Sequence, residues 1–154
     1  MYPTMSWWVM ILTMIALQVL FMPVVTSASL SHVYFSVGQG WMGAAMGAAM
    51  AAVGGLLHPL AAWEWAAILV IGVVAVAGYR WQLLVDDREW LHDMIPHHSM
   101  ALTTTRPRLA ASTDPRIQRL AQEILITQER EIATMRTLAR PYELPGGWRL
   151  TWIS

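Results

Sequence analysis

No lysine or arginine precedes Arg80, and up to that point Glu64 is the one charged side chain. This stretch contains three long apolar runs, residues 6–25, 37–57 and 62–80. A bilayer core of ~30 Å is crossed by about 20 apolar residues in a helix. Inside it the backbone must satisfy its own hydrogen bonds, which leaves helices or closed barrels. The expected fold class is therefore all-α: three transmembrane helices in residues 1–81, then whatever the charged remainder builds. The chain is 56% hydrophobic but 13% charged, against about a quarter charged in soluble domains, which agrees with a lipid-embedded first half.

Trp7 and Trp8 open the first run, and Trp63, Trp65 and Trp81 flank the third. Indole rings favour the membrane–water boundary. A cleavable signal peptide competes for the first run, since Thr26-Ser27-Ala28-Ser29 offers small residues, but the basic segment that precedes such a core is missing. In the second run Gly43, Gly47 and Ala51 recur every four residues and form a small-residue stripe along which another helix can approach closely. Met42, Met46 and Met50 make a neighbouring stripe, better read as apolar filler than as a ladder of thioether ligands. Three spans place the two ends of the chain on opposite sides. With Arg80 and Arg88 just after the third span and no basic residue in the earlier loops, the positive-inside rule puts the C-terminal half in the cytoplasm. An integral protein of a bacterial inner membrane is the expected setting, with the lipid bilayer as its first partner.

After Arg80 the pattern changes. Asp86-Asp87 suits the start of a helix, where the helix dipole favours acidic side chains. Pro96 should kink or locally open that helix. Asp114-Pro115 supplies a cap and a first helical residue for a second one. Ile117, Leu120, Ala121, Ile124, Leu125, Gln128, Ile132 and Met135 follow a three-four spacing on it. The region 86–139 thus reads as an antiparallel helical hairpin. A tail, residues 140–154, carries Trp148 and Trp152. Zero formal net charge offers no general affinity for nucleic acid.

The hairpin holds the chemistry. His92-Asp93-Met94-Ile95-Pro96-His97-His98-Ser99-Met100 gathers three of the five histidines in a chain without cysteine. Imidazole and thioether groups are the ligands that suit copper, above all Cu(I), where no thiolate is present. Met94 and His98, four apart, share a helix face, and Gln128, Glu131 and Met135 line one stripe of the second helix. Counting outward from a turn near Thr113 sets His98 opposite Gln128, with Met94 and His97 facing Glu131 and Met135. The expected metal ligands are therefore Met94, His97, His98, Gln128, Glu131 and Met135, with a copper ion as cofactor; His92 should lie on another face. A purely structural use of the same groups, bonding helix carbonyls and one another, is the alternative. No His-Glu-x-x-His zinc signature, phosphate loop or nucleophile–base pair is legible, so catalysis is not expected.

Met94-Ile95-Pro96-His97-His98, then Asp114-Pro115-Arg116-Ile117, Leu120-Ala121, Ile124, Gln128, Glu131-Ile132 and Met135, resembles the family known as domain of unknown function 305. The resemblance covers about residues 86–138. It implies a ferritin-like helical, four-helix-like arrangement and, from some members, copper binding or copper resistance. The apolar first half resembles that of membrane-anchored members. Two departures stand out: Met100 adds a thioether after the histidines, and Thr103-Thr104-Thr105 is polar where other members have methionine. Two functions follow. One is a membrane-tethered copper-binding protein for metal homeostasis or transfer. The other is a non-catalytic accessory subunit, a homo-oligomer or part of a larger membrane complex, joined through Gly43, Gly47 and the Trp148–Trp152 tail.

Overall fold

The computed structural model describes residues 6–140. Five helices follow one another: α1 (Trp7–Thr26), α2 (Val37–Leu57), α3 (Ala62–Arg80), α4 (Asp87–Ala111) and α5 (Pro115–Ala139), with no strand among the described residues. The first three are long and apolar enough to cross a membrane. The Trp148–Trp152 tail lies outside the described residues.

In α1 the turn Leu17–Phe21 widens to π geometry just before Pro23. A proline ring clashes with the carbonyl four residues earlier, and one widened turn accommodates it. α2 packs against both α1 and α3. Ile11, Ala48, Ala51 and Ile68 form the core of this bundle. A Cβ on Gly47 would stand 2.6 Å from the Ile11 Cα, and one on Gly43 would stand 2.7 Å from the Ile15 Cα. The small-residue stripe therefore receives α1 of the same chain, so the groove expected for a partner helix is filled from within. Met46 and Met50 are exposed and point away from the bundle.

The hairpin begins where Asp86 accepts the Glu89 N–H and restarts where Asp114 accepts the Arg116 N–H. Its core is Leu91, Ile95 and Leu102 from α4 with Ile132, Met135 and Ala139 from α5. The opening expected at Pro96 does not occur, for α4 runs through both Pro96 and Pro107. Pro96 is buried beside fully buried Ile95, and packing of that turn compensates for the lost backbone bond. Along α5 the expected apolar face is covered only in part: Ile117 and Leu120 are 41% and 53% exposed. Two helices cannot enclose a four-helix core. The rest of the cover comes from the 27–36 connection, whose Ala28 and Tyr34 pack against the hairpin core.

That connection is where hairpin and bundle meet. The Thr103 hydroxyl donates to the Thr26 carbonyl at the end of α1. The Glu89 carboxylate accepts the Val37 N–H at 2.8 Å, and Asp93 accepts the Ser36 hydroxyl at 2.8 Å. Two carboxylates of α4 thus sit on the first turn of α2, where unpaired N–H groups and the helix dipole favour negative charge. Trp41 of α2 donates its indole N–H to the Leu83 carbonyl, fastening the link from α3 to α4.

Candidate functional site

His98 is the best-defined member of the expected constellation. Its Nδ1 lies 2.8 Å from the Met94 carbonyl oxygen. A carbonyl only accepts, so Nδ1 carries the proton in that bond. The opposite ring atom, Nε2, is then turned across the hairpin to the Glu131 carboxylate, 3.1 Å away. A backbone carbonyl that fixes the imidazole tautomer is the usual outer support of a metal-binding histidine. Imidazole nitrogen and carboxylate oxygen bound tetrahedrally to one ion at about 2.0–2.2 Å each would be separated by roughly 3.4 Å, slightly more than the distance seen here. The same pair is equally well satisfied as a hydrogen-bonded imidazolium and carboxylate, and the geometry accommodates both.

The other expected ligands are distributed unevenly. His97 is exposed, and its ring centre lies 5.9 Å from that of His98. Met94 is half-buried against the hairpin core, and Met135 is inside it at 7% exposure. Gln128 is half-buried one turn from Glu131. Among the described residues no three His, Cys, Asp or Glu side chains are grouped to hold a metal ion. Of the expected ligands, His98 and Glu131 are the two whose side chains are brought within 3.1 Å of each other. His92, expected on another face, stacks on Tyr34 with ring centres 4.8 Å apart.

The cross-helix register differs from simple counting. His98 was expected opposite Gln128 and meets Glu131 instead. Helical side chains lean toward the N-terminus of their own helix, so each covers a spot about one residue back. In an antiparallel pair the two leans run in opposite directions. Together they account for most of the three-residue displacement.

Sequence reasoning missed His32 and Ser99. Ser99 is fully buried; its hydroxyl accepts the Ala28 N–H at 2.7 Å and lies 3.0 Å from the His32 Nδ1. A serine beside a histidine resembles a nucleophile and its base, but a hydroxyl at 0% exposure meets no substrate. The pair is a latch between the 27–36 connection and α4. Its signal was present: Leu91, Ile95, Ser99 and Leu102 share one face, and a hydroxyl on a buried stripe needs a partner.

Burial, and then the charges of Arg136 and Arg106, hold the His32 pKa below its ordinary value. The folded protein resists a proton that the unfolded chain takes up near pH 6.5. Stability that is complete above that pH should fall as the pH drops below it, until folded His32 is protonated as well. Melting temperatures of wild type and His32→Gln between pH 7.5 and 5 check this. Wild type should lose more stability across that range, and parallel curves would remove His32 as the cause.

Residues 80–140 match the model of a family described as domain of unknown function (DUF305). An uncharacterized protein of Acanthamoeba polyphaga mimivirus is 40% identical over 70 residues, a region covering 46% of this chain and 46% of that protein. The chain thus spans about half the length of this curated relative. No solved structure matches the chain.

Proposed function

We propose, taking residues 80–140 as a member of the domain of unknown function 305 family, that the hairpin holds a soft metal ion, copper, on a membrane-anchored protein. The observation carrying this reading is His98: its Nδ1 is fixed by the Met94 carbonyl while its Nε2 faces Glu131 at 3.1 Å. In this reading Met135, inside the hairpin core, and Met94, packed against it, supply the soft donors, and exposed His97 receives or passes on the ion. Thioether and imidazole without thiolate favour Cu(I). The protein would sequester copper or hand it on.

Copper affinity and melting temperature of three purified proteins test it: wild type, His97→Ala/His98→Ala and Met135→Leu. Wild type should bind Cu(I), the double variant should not, and Met135→Leu should weaken Cu(I) more than Cu(II). Binding should weaken in acid, because imidazole must be neutral to ligate. Equal copper affinity in wild type and double variant would falsify the metal reading. The accessory-subunit reading would then stand. It is favoured by Ile117, Leu120 and Ile126, exposed along α5 where a further helix could pack.

The hairpin is assigned to the cytoplasmic side of a bacterial inner membrane. All ten arginines lie at or beyond Arg80, and the chain has no lysine. A C-terminal reporter active only in the periplasm should stay silent; full activity reverses the orientation.

A further inference from the structure

The end of the bundle remote from the hairpin carries an open cavity of about 310 Å³ that the copper reading does not use. Trp7, Trp8 and Trp63 line it with Glu64, and Gly54 and Gly55 give its floor little side-chain bulk. The Trp7 indole N–H donates to one Glu64 oxygen at 3.0 Å, and the Ala61 N–H donates to the other at 2.8 Å. Trp63 meets Trp7 edge to face, with ring centres 6.2 Å apart. The carboxylate is thereby held in place among aromatic rings.

Among the described residues no ion pair to this carboxylate is formed. No arginine or lysine occurs before Arg80, and Arg80 closes the opposite end of α3. His58 at the cavity wall is the one other titratable side chain among the lining residues. An anion that lines one cavity with three indole rings suits an alkylammonium group, which can gain both ion pairing and cation–π attraction there. The source follows from position. The cavity opens where the start of α1, the end of α2 and the start of α3 come together, at the boundary level of helices long enough to span a membrane. Trp8 and Trp63 are 53% and 65% exposed there.

We propose that this cavity binds the cationic amine of a zwitterionic phospholipid headgroup, in the leaflet opposite the hairpin. The full-length protein, reconstituted in equal parts phosphatidylcholine and phosphatidylglycerol and then taken into detergent, should retain phosphatidylcholine in preference. The preference should be about fivefold, the size of one partly exposed cation–π contact. Glu64→Gln should abolish it. Trp63→Leu, a change at an exposed ring that leaves the helix intact, should reduce it by roughly half or more and decides the matter if Glu64→Gln does not fold. Tetramethylammonium chloride should displace the retained lipid, where sodium chloride at equal ionic strength should not. Equal retention of both lipids by wild type overturns the proposal, as does an undiminished preference in folded variants. Stabilisation by tetramethylammonium without lipid preference overturns it too, and assigns the cavity to a soluble amine.

Discussion

Gly47→Val should disrupt the membrane-spanning bundle. A Cβ at this position would meet the Ile11 Cα at 2.6 Å and the Ile11 carbonyl oxygen at 3.0 Å, which is backbone and cannot swing aside. Overpacking ordinarily costs about 1–3 kcal/mol. Here α1 as a whole must move away from α2, so an effect of about 3 kcal/mol or more is expected. Gly40 provides the control, since a Cβ there meets nothing within 4 Å. Gly40→Ala should be neutral or stabilise by about 0.5–1 kcal/mol, because alanine loses less backbone freedom in a helix. Unfolding in detergent, followed by loss of helical signal, measures both. Similar midpoints for the two variants would show that α1 does not seat on this stripe.

Ile95→Ala should have the largest effect in the hairpin. Ile95 is fully buried and lies in one cluster with Leu91, Leu102, Ile132 and Met135. Removing its outer carbons and leaving a cavity costs about 2–5 kcal/mol. Met135→Leu in the same cluster keeps the volume and should cost less than about 1.5 kcal/mol. The pair separates packing from ligation: Ile95→Ala should lower the melting temperature strongly, while Met135→Leu should act chiefly on Cu(I) affinity. If both variants melt together, the cluster is not what holds α4 to α5.

The spans were legible because an apolar, almost uncharged run long enough to cross a bilayer carries its meaning without tertiary context. Helix ends fell within a residue or two of the apolar limits, and Asp114-Pro115 marked the start of α5. What a run cannot disclose is its neighbour. Gly43 and Gly47 announced a groove, but nothing in a four-residue repeat says whether α1 or another chain fills it. Of the expected residue set, His98 and Glu131 meet, while Met94 and Met135 belong to the hairpin core and His97 is exposed. The register of that meeting was not legible, because side-chain lean is a property of the paired helices. His32 and Ser99 stand 67 positions apart, a distance over which local patterns carry no information. The same holds for the carboxylates of α4 that reach Val37 and Ser36.

Those last contacts impose an order on biogenesis. The Val37 N–H and its Glu89 acceptor are 52 positions apart. At ribosomal rates of about 5–20 residues per second, α2 waits several seconds for this acceptor. During that interval Ser36, which accepts the Gln39 N–H at 3.1 Å, caps the first turn of α2 alone. Once α4 has formed, Asp93 accepts a hydrogen bond from the Ser36 hydroxyl and Glu89 accepts one from the Val37 N–H. The second span is thus completed only after the third has been made, and the hairpin acts as its delayed clasp.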